Sequence, residues 1–188
     1  TAVTKDGAEQ LQQHLPECCI SFSPDPLLEA LAERDGDLVA ALQDVGRVDL
    51  DAVGRVIAVD IEHTQMTKSG IEILKKLNRL EVLNLHNNQQ LVDDGMRHLR
   101  GLKYLKKLGL LGTNVTDEGL QHLEGLKNLV ALNLAYTSIT DEGIRVLGGL
   151  ENLEELFLGD TGITDKGLVH LESLTKLVGL GLSGTKID

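Results

Sequence analysis

Hydrophobic positions recur along this chain in one long frame rather than in independent segments. The stretch Leu105–Asn128, LKKLGLLGTNVTDEGLQHLEGLKN, returns as LVALNLAYTSITDEGIRVLGGLEN from Leu129 and as LEELFLGDTGITDKGLVHLESLTK from Leu153. Leu105, Leu129, Leu153 and Leu177 stand 24 residues apart. The same frame fits upstream from Val56 and from Leu80, with one extra residue near Gln89–Gln90. A fixed period of this length marks a solenoid, in which each unit buries its apolar face only against its neighbours.

Two periodicities alternate inside the unit. Leu108 and Leu110 alternate with Lys107, Gly109 and Leu111, the pattern of a short half-buried strand. Thr113 follows, aligned with Thr64, Asn88, Thr137, Thr161 and Thr185. A hydroxyl there is expected to tie the turn backbone to the next coil, because stacked coils leave buried N–H and C=O groups in need of partners. Val115 is an apolar peg, matched by Met66, Leu91, Ile139, Ile163 and Ile187. Thr116-Asp117-Glu118-Gly119 then opens a helix, with Thr as N-cap and acidic residues at the positive end of the dipole. Leu120, Leu123 and Leu126 form its inward stripe. Strands stack about 4.8 Å apart and helices roughly 8–10 Å apart, so the stack should curve with its strands on the concave side. The fold class is α/β: a right-handed βα superhelix with the outline of a horseshoe.

The ends differ from the middle. Asp25 as N-cap and Pro26 at the first helical position launch a helix to about Arg34. Gly36 interrupts it, Asp37–Val45 reads as a second helix closed by Gly46, and Val48–Leu50 and Val56–Ile61 read as strands. Residues 25–54 are expected to cap the array of residues 55–188, since the open end of a solenoid exposes its core. Residues 1–24 read as the end of a preceding repeat-like element, because Thr4-Lys5-Asp6-Gly7-Ala8 aligns with the helix signature. Leu177–Asp188 supplies a strand and a corner with no polar cap behind them. That edge is expected to permit self-association, and the chain to be a segment of a longer array.

The pattern L-x-x-L-x-L followed by T-D-x-G-L-x-x-L-x-x-L resembles the bacterial leucine-rich repeats of the ribonuclease-inhibitor-like superfamily. The resemblance covers residues 37–188 and, loosely, residues 1–22. Related repeats in F-box proteins often close the helix segment with Cys, where Leu126–Asn128 stands here, so a ubiquitin-ligase role is not implied. The resemblance implies a non-enzymatic module that binds a protein or peptide on its concave strands. The alternative is a recognition segment of a larger multidomain enzyme or receptor whose catalytic part lies outside this chain.

Composition narrows the partners. The chain is 41% hydrophobic and 2% aromatic, so Leu, Ile and Val fill the core, and its formal charge of −11 disfavours nucleic acid and anionic membrane surfaces. No apolar run approaches the roughly 18 residues of a membrane helix. The compartment stays open, because residue 1 is Thr rather than an initiator Met. Adjacent Cys18 and Cys19 are poorly placed for a disulfide and too few for a metal site. Gly179-Leu180-Gly181-Leu182-Ser183-Gly184 fits G-x-G-x-x-G, but its leucines fall on strand positions of the frame, so no nucleotide loop is expected. His98, His122 and His170 share one helix position with Ile73 and Val146, which favours packing over a metal or proton-relay column. Asp93, Asp117, Asp141 and Asp165 are accounted for by the helix N-termini. No cofactor, metal or catalytic residue is expected. On the concave face Leu111, Ala135, Tyr136 and Phe157 are the apolar exceptions, either scattered surface residues or an anchor in a polar rim. With Lys107, Asn133, Glu155 and Asp160 they form the candidate partner-binding set.

Overall fold

The structure, a computed structural model, describes residues 25–187. The expected element in residues 1–24, with Cys18 and Cys19, lies outside the described residues. Two helices open the described chain, α1 (Pro26–Glu33) and α2 (Leu38–Val45). Asp25 and Asp37 cap them by accepting from the second and third amides that follow, as short acceptors at an N-cap do. An Arg34–Asp44 pair at 2.6 Å ties the two together. Strand β1 (Arg47–Leu50) pairs antiparallel with β2 (Val56–Asp60), and from there every neighbour is parallel. The remaining strands are β3 (Val82–Asn84), β4 (Lys107–Gly109), β5 (Ala131–Asn133), β6 (Glu155–Phe157) and β7 (Gly179–Gly181), in chain order across one sheet. Between them run helices α3 (Lys68–Leu74), α4 (Asp93–Met96), α5 (Asp117–Leu120), α6 (Asp141–Leu147) and α7 (Asp165–Leu168). Three of the short helices, α4, α5 and α7, tighten into 3₁₀ turns at their ends.

The core lies between the sheet and the helices as a column of identical layers. Leu105, Leu110, Val115, Leu120, Leu123 and Leu126 are all fully buried, and so are their counterparts in the next repeat. The outermost strand differs: Leu180 is 41% exposed where Leu108, Leu132 and Leu156 are at most 2%.

Backbone hydrogen bonds outlast the three-residue strands. His63, Asn87, Gly112, Tyr136, Asp160 and Gly184 occupy one corner position, all with φ between 53° and 75°. Five of them, from His63 to Asp160, still donate their N–H to the next coil. The corner threonines behave differently from the sequence expectation. Thr113, Thr137 and Thr161 donate to the carbonyl three residues back in their own turn, at 2.5–2.7 Å, and not to the next coil. A short hydroxyl closes its own turn first. Thr64 closes its own turn likewise and also donates to the Asn88 side-chain oxygen in the next coil. The longer Asn88 amide reaches back to the preceding coil, donating to Ile61 and accepting from Met66, and donates to Leu85 in its own turn.

Helices are joined by a device the sequence pattern conceals. The Asp117 carboxylate accepts from the Thr140 amide at 2.8 Å and from its hydroxyl at 2.6 Å. Asp93–Thr116 and Asp141–Thr164 repeat the arrangement. The same threonine oxygen accepts from the amide two residues on, so it caps its own helix while gripping the preceding one. A Cβ on Gly119, Gly143 or Gly167 would collide with that carboxylate. The T-D-x-G motif is therefore a joint between coils, and its glycine is the space that the neighbour's aspartate occupies. Asp25 does the same from the cap: it accepts from the Thr67 amide at 2.5 Å and fills the space beside Gly70.

One junction departs from this rule. Between α3 and α4 the aspartate position is Lys68 and the threonine position is Val92, whose side chain makes no cap bond. Lys68 pairs instead with Asp94. The extra residue at Gln89–Gln90 falls at this junction too, and here the Asn88 amide stitches the coils.

Two outcomes follow from the joint. Asp117→Ala should cost about 1–2 kcal/mol. Gly143→Ala should cost a similar amount alone, yet far less in the Asp117→Ala background, where the space is empty. Urea melts of the double-mutant cycle measure this coupling; simple additivity would rule out the steric account. Installing the missing joint, Lys68→Asp with Val92→Thr, should raise the melting temperature above that of either single variant.

Candidate strand-face binding site

Each strand offers alternate residues to the face opposite the helices. Their register sets two rows across the sheet. One runs Ala58, Val82, Lys107, Ala131, Glu155, Gly179, and the next runs Asp60, Asn84, Gly109, Asn133, Phe157, Gly181. The second row has a carboxylate at one end, two amides flanking a glycine, and an aromatic ring. A groove of about 180 Å³ lies over it between β3 and β6, with Gly109 in its floor and Asn84, His86 and Phe157 among its walls.

Gly109 makes this groove possible. A side chain there would collide with the His86 imidazole and reach 2.9 Å from the Asn84 side-chain oxygen. Phe157 is held the same way three strands further on, its ring lying over Gly181, where a Cβ would approach within 2.9 Å. The ring is 42% exposed, while its chain neighbours Leu156 and Leu158 are fully buried. The strand register therefore places Phe157 outward as the alternation requires.

The structure divides the expected set in two. Lys107, Asn133 and Phe157 line the groove. Leu111 and Tyr136 line a separate depression at the corner, with Asn87, Gln89 and Asn114. Ala135 is corrected by its burial: at 8% exposure it is covered by its neighbours, is not an exposed apolar anchor, and lines neither depression. Glu155 lies exposed in the first row, outside the groove lining. Asp160 is at the next corner, near the Tyr136 phenol. Its hydrogen-bonding influence, followed by its charge and by burial, holds the phenol pKa above its ordinary value. Tyr136 has φ 56° and is 62% exposed. A bulky residue in the left-handed region is strained, and the surrounding sheet must hold it there.

Asp60, Glu62 and His86 also fall on this face, and the repeat frame alone marks none of them as part of a site. The His86 ring stands 3.9 Å from Glu62, and its Nε2 is buried without a partner among the described residues. Burial pushes its pKa below the usual imidazole value, against the pull of Glu62 and Asp60 and together with His63. The helix-side histidines His98, His122 and His170 are half-buried packing residues, as their apolar equivalents suggested. Among the described residues no group of three or more His, Cys, Asp or Glu is arranged to hold a metal ion, and no helix is long and apolar enough to cross a membrane.

Comparison with known proteins agrees with this architecture. The family described as leucine-rich repeat matches residues 125–148 and 149–171. No curated protein matches the chain. Among solved structures, internalin C2 from Listeria monocytogenes is 25% identical over 90% of this chain and 83% of its own, with a TM-score of 0.59. An internalin, inlF, from the same organism is 21% identical over 70% of this chain, with a TM-score of 0.53. The leucine-rich-repeat ectodomain of the receptor kinase SOBIR1 from Arabidopsis thaliana is 18% identical over 89% of this chain and 98% of its own, with a TM-score of 0.50. The chain spans 43% of the inlF chain. The fold is an α/β leucine-rich-repeat solenoid whose repeats present one parallel sheet and one helical side.

Two measurements check the geometry. Leu158→Ala should lower stability by about 2–5 kcal/mol, and Phe157→Ala by about 1 kcal/mol or less; equal losses would mean the register is wrong. His86, His98 and His122 all titrate below their ordinary value, in each case chiefly through burial. The unfolded chain therefore takes up these protons first. Stability should be full above about pH 6.5 and decline as pH falls from there. A thermal melt series should show this decline, and His122→Gln should reduce it. A melting temperature that rises on acidification would contradict the assignment.

Proposed function

We propose that this chain is a non-enzymatic module that binds a protein or peptide on its strand face. Phe157, Lys107 and Asn133 engage the partner at the groove, and Tyr136 and Leu111 engage it at the corner. The observation that carries this is an asymmetry of use. On the helix side Asp93, Asp117 and Asp141 are consumed in joints between coils. On the strand face an aromatic ring and an apolar groove are left open to solvent. Exposed aromatics set in a polar rim are favoured binding anchors.

A second reading has its own support. The SOBIR1 structure is the ectodomain of a receptor kinase, and the inlF chain is more than twice the span matched here. This array then serves as the recognition segment of a larger enzyme or receptor, and the strand face keeps the same role.

The test is an affinity titration with a partner captured by the unaltered chain. Phe157→Ala and Tyr136→Ala should each weaken binding about tenfold or more, as truncation of an anchor does. Arg145→Ala on the helix side should leave it unchanged. Loss confined to the helix-side variant would move the interface to the other face.

A further inference from the structure

Resting on the strand-face function above, we propose that the groove takes an extended basic–apolar peptide segment. One aliphatic side chain sits over Gly109 between His86 and Phe157, and a lysine or arginine two residues away lies against Asp60 and Glu62. The groove supplies the first half of the argument. Its lining is almost wholly apolar, and at 180 Å³ it falls below the roughly 300 Å³ at which small-molecule pockets begin, a size for one side chain.

Charge supplies the second half. Asp60 and Glu62 lie at the β2 end of the face, two strands from Gly109. Among the described residues neither pairs with a lysine or arginine; the ion-pair partner within reach of Glu62 is His86, whose burial favours its neutral form. The chain as a whole carries −11. A cation from outside therefore meets two uncompensated carboxylates beside an apolar slot.

Spacing fits an extended chain. Two strand spacings are roughly 10 Å, and an extended segment advances about 3.3 Å per residue with alternate side chains on one side. An aliphatic residue and a long cationic one at i and i+2 span that distance. Asn133 offers its side-chain N–H groups, which donate to nothing among the described residues, while its oxygen accepts from the Ala135 amide. They are free to bond a peptide carbonyl. Lys107, exposed in the first row over β4, repels a cation from the slot itself and so sets the direction of the segment.

The probe is the blocked peptide acetyl-Ser-Thr-Leu-Thr-Arg-Thr-Ser-amide, titrated into the isotope-labelled chain and followed by NMR. Two controls replace its Arg by Glu or its Leu by Ala. The Leu–Arg peptide should shift the resonances of Gly109, Asn133 and their strand neighbours. It should bind at least fivefold tighter than either control, and the Arg preference should vanish in the double variant Asp60→Asn, Glu62→Gln. The proposal is overturned if the Glu peptide binds equally well, if the double variant keeps the preference, if the shifts fall off the strand face, or if no peptide binds at 5 mM. The same samples are tested against the captured partner. Should the Arg preference be absent while Phe157→Ala still weakens that partner, the basic–apolar specificity falls and the strand-face function stands. Should Phe157→Ala leave the partner bound, both fall.

Discussion

An aspartate of one coil gripping a threonine of the next, across a glycine, fixes how the units of this chain sit on one another. The stacked leucines supply most of the stabilisation, but apolar burial is non-directional. Leucine layers alone would tolerate rotation and sliding between coils. Two charge-assisted bonds to one carboxylate do not, because they constrain both distance and orientation. The burial of Asp25, at 5% exposure in the cap, shows how closely the carboxylate is enclosed once its bonds are made. At Asp141 burial pushes the pKa up, yet the Thr164 hydroxyl and amide, the Lys166 charge and the Gly167 amide together outweigh it and leave the group below its ordinary value.

This division of labour frees the opposite face. The sheet ladder is closed between backbones, and on the outward side Asp60, Asn84 and Asn133 each accept from the amide two residues on, so the other outward positions carry little structural duty beyond fitting beside their neighbours. They range from Gly109 and Ala131 to Phe157 and Lys107 within a few strands. The constraint that remains is lateral. His86 leans over one glycine and Phe157 over another, so each large residue on this face depends on a small one in the adjacent strand.

Much of the fold was legible because period and spacing are one-dimensional signals. The strand at Lys107–Gly109, the caps at Asp25 and Thr116, and the inward leucines all follow from local pattern. The joints were only half legible. Asp117 was recognisable as a helix-start residue, but its partner lies 23 residues away in sequence, and a helix dipole explained it well enough to hide the bond. The threonines misled for the opposite reason, since Thr113 finds an acceptor in its own turn. The candidate site was legible as a list of outward positions. Which of them share a groove depends on how far each side chain leans, so Phe157 and Tyr136 were grouped together although they line different depressions. The burial of Ala135 escaped because alternation predicts direction, not what the neighbouring coil covers.

The cap offers repeat one the same grip that each later repeat offers its successor, with Asp25 standing where a repeat's aspartate would stand. Interfaces built to one pattern are interchangeable. A unit ending in the aspartate and beginning with the threonine and glycine can be duplicated or deleted without any new surface having to be invented, so arrays of this kind can change length by recombination. The junction of Lys68 and Val92 is the exception, keyed differently on both sides. It makes the first repeat and the two helices before it a matched pair with the repeat that follows, a junction that cannot be exchanged for the others.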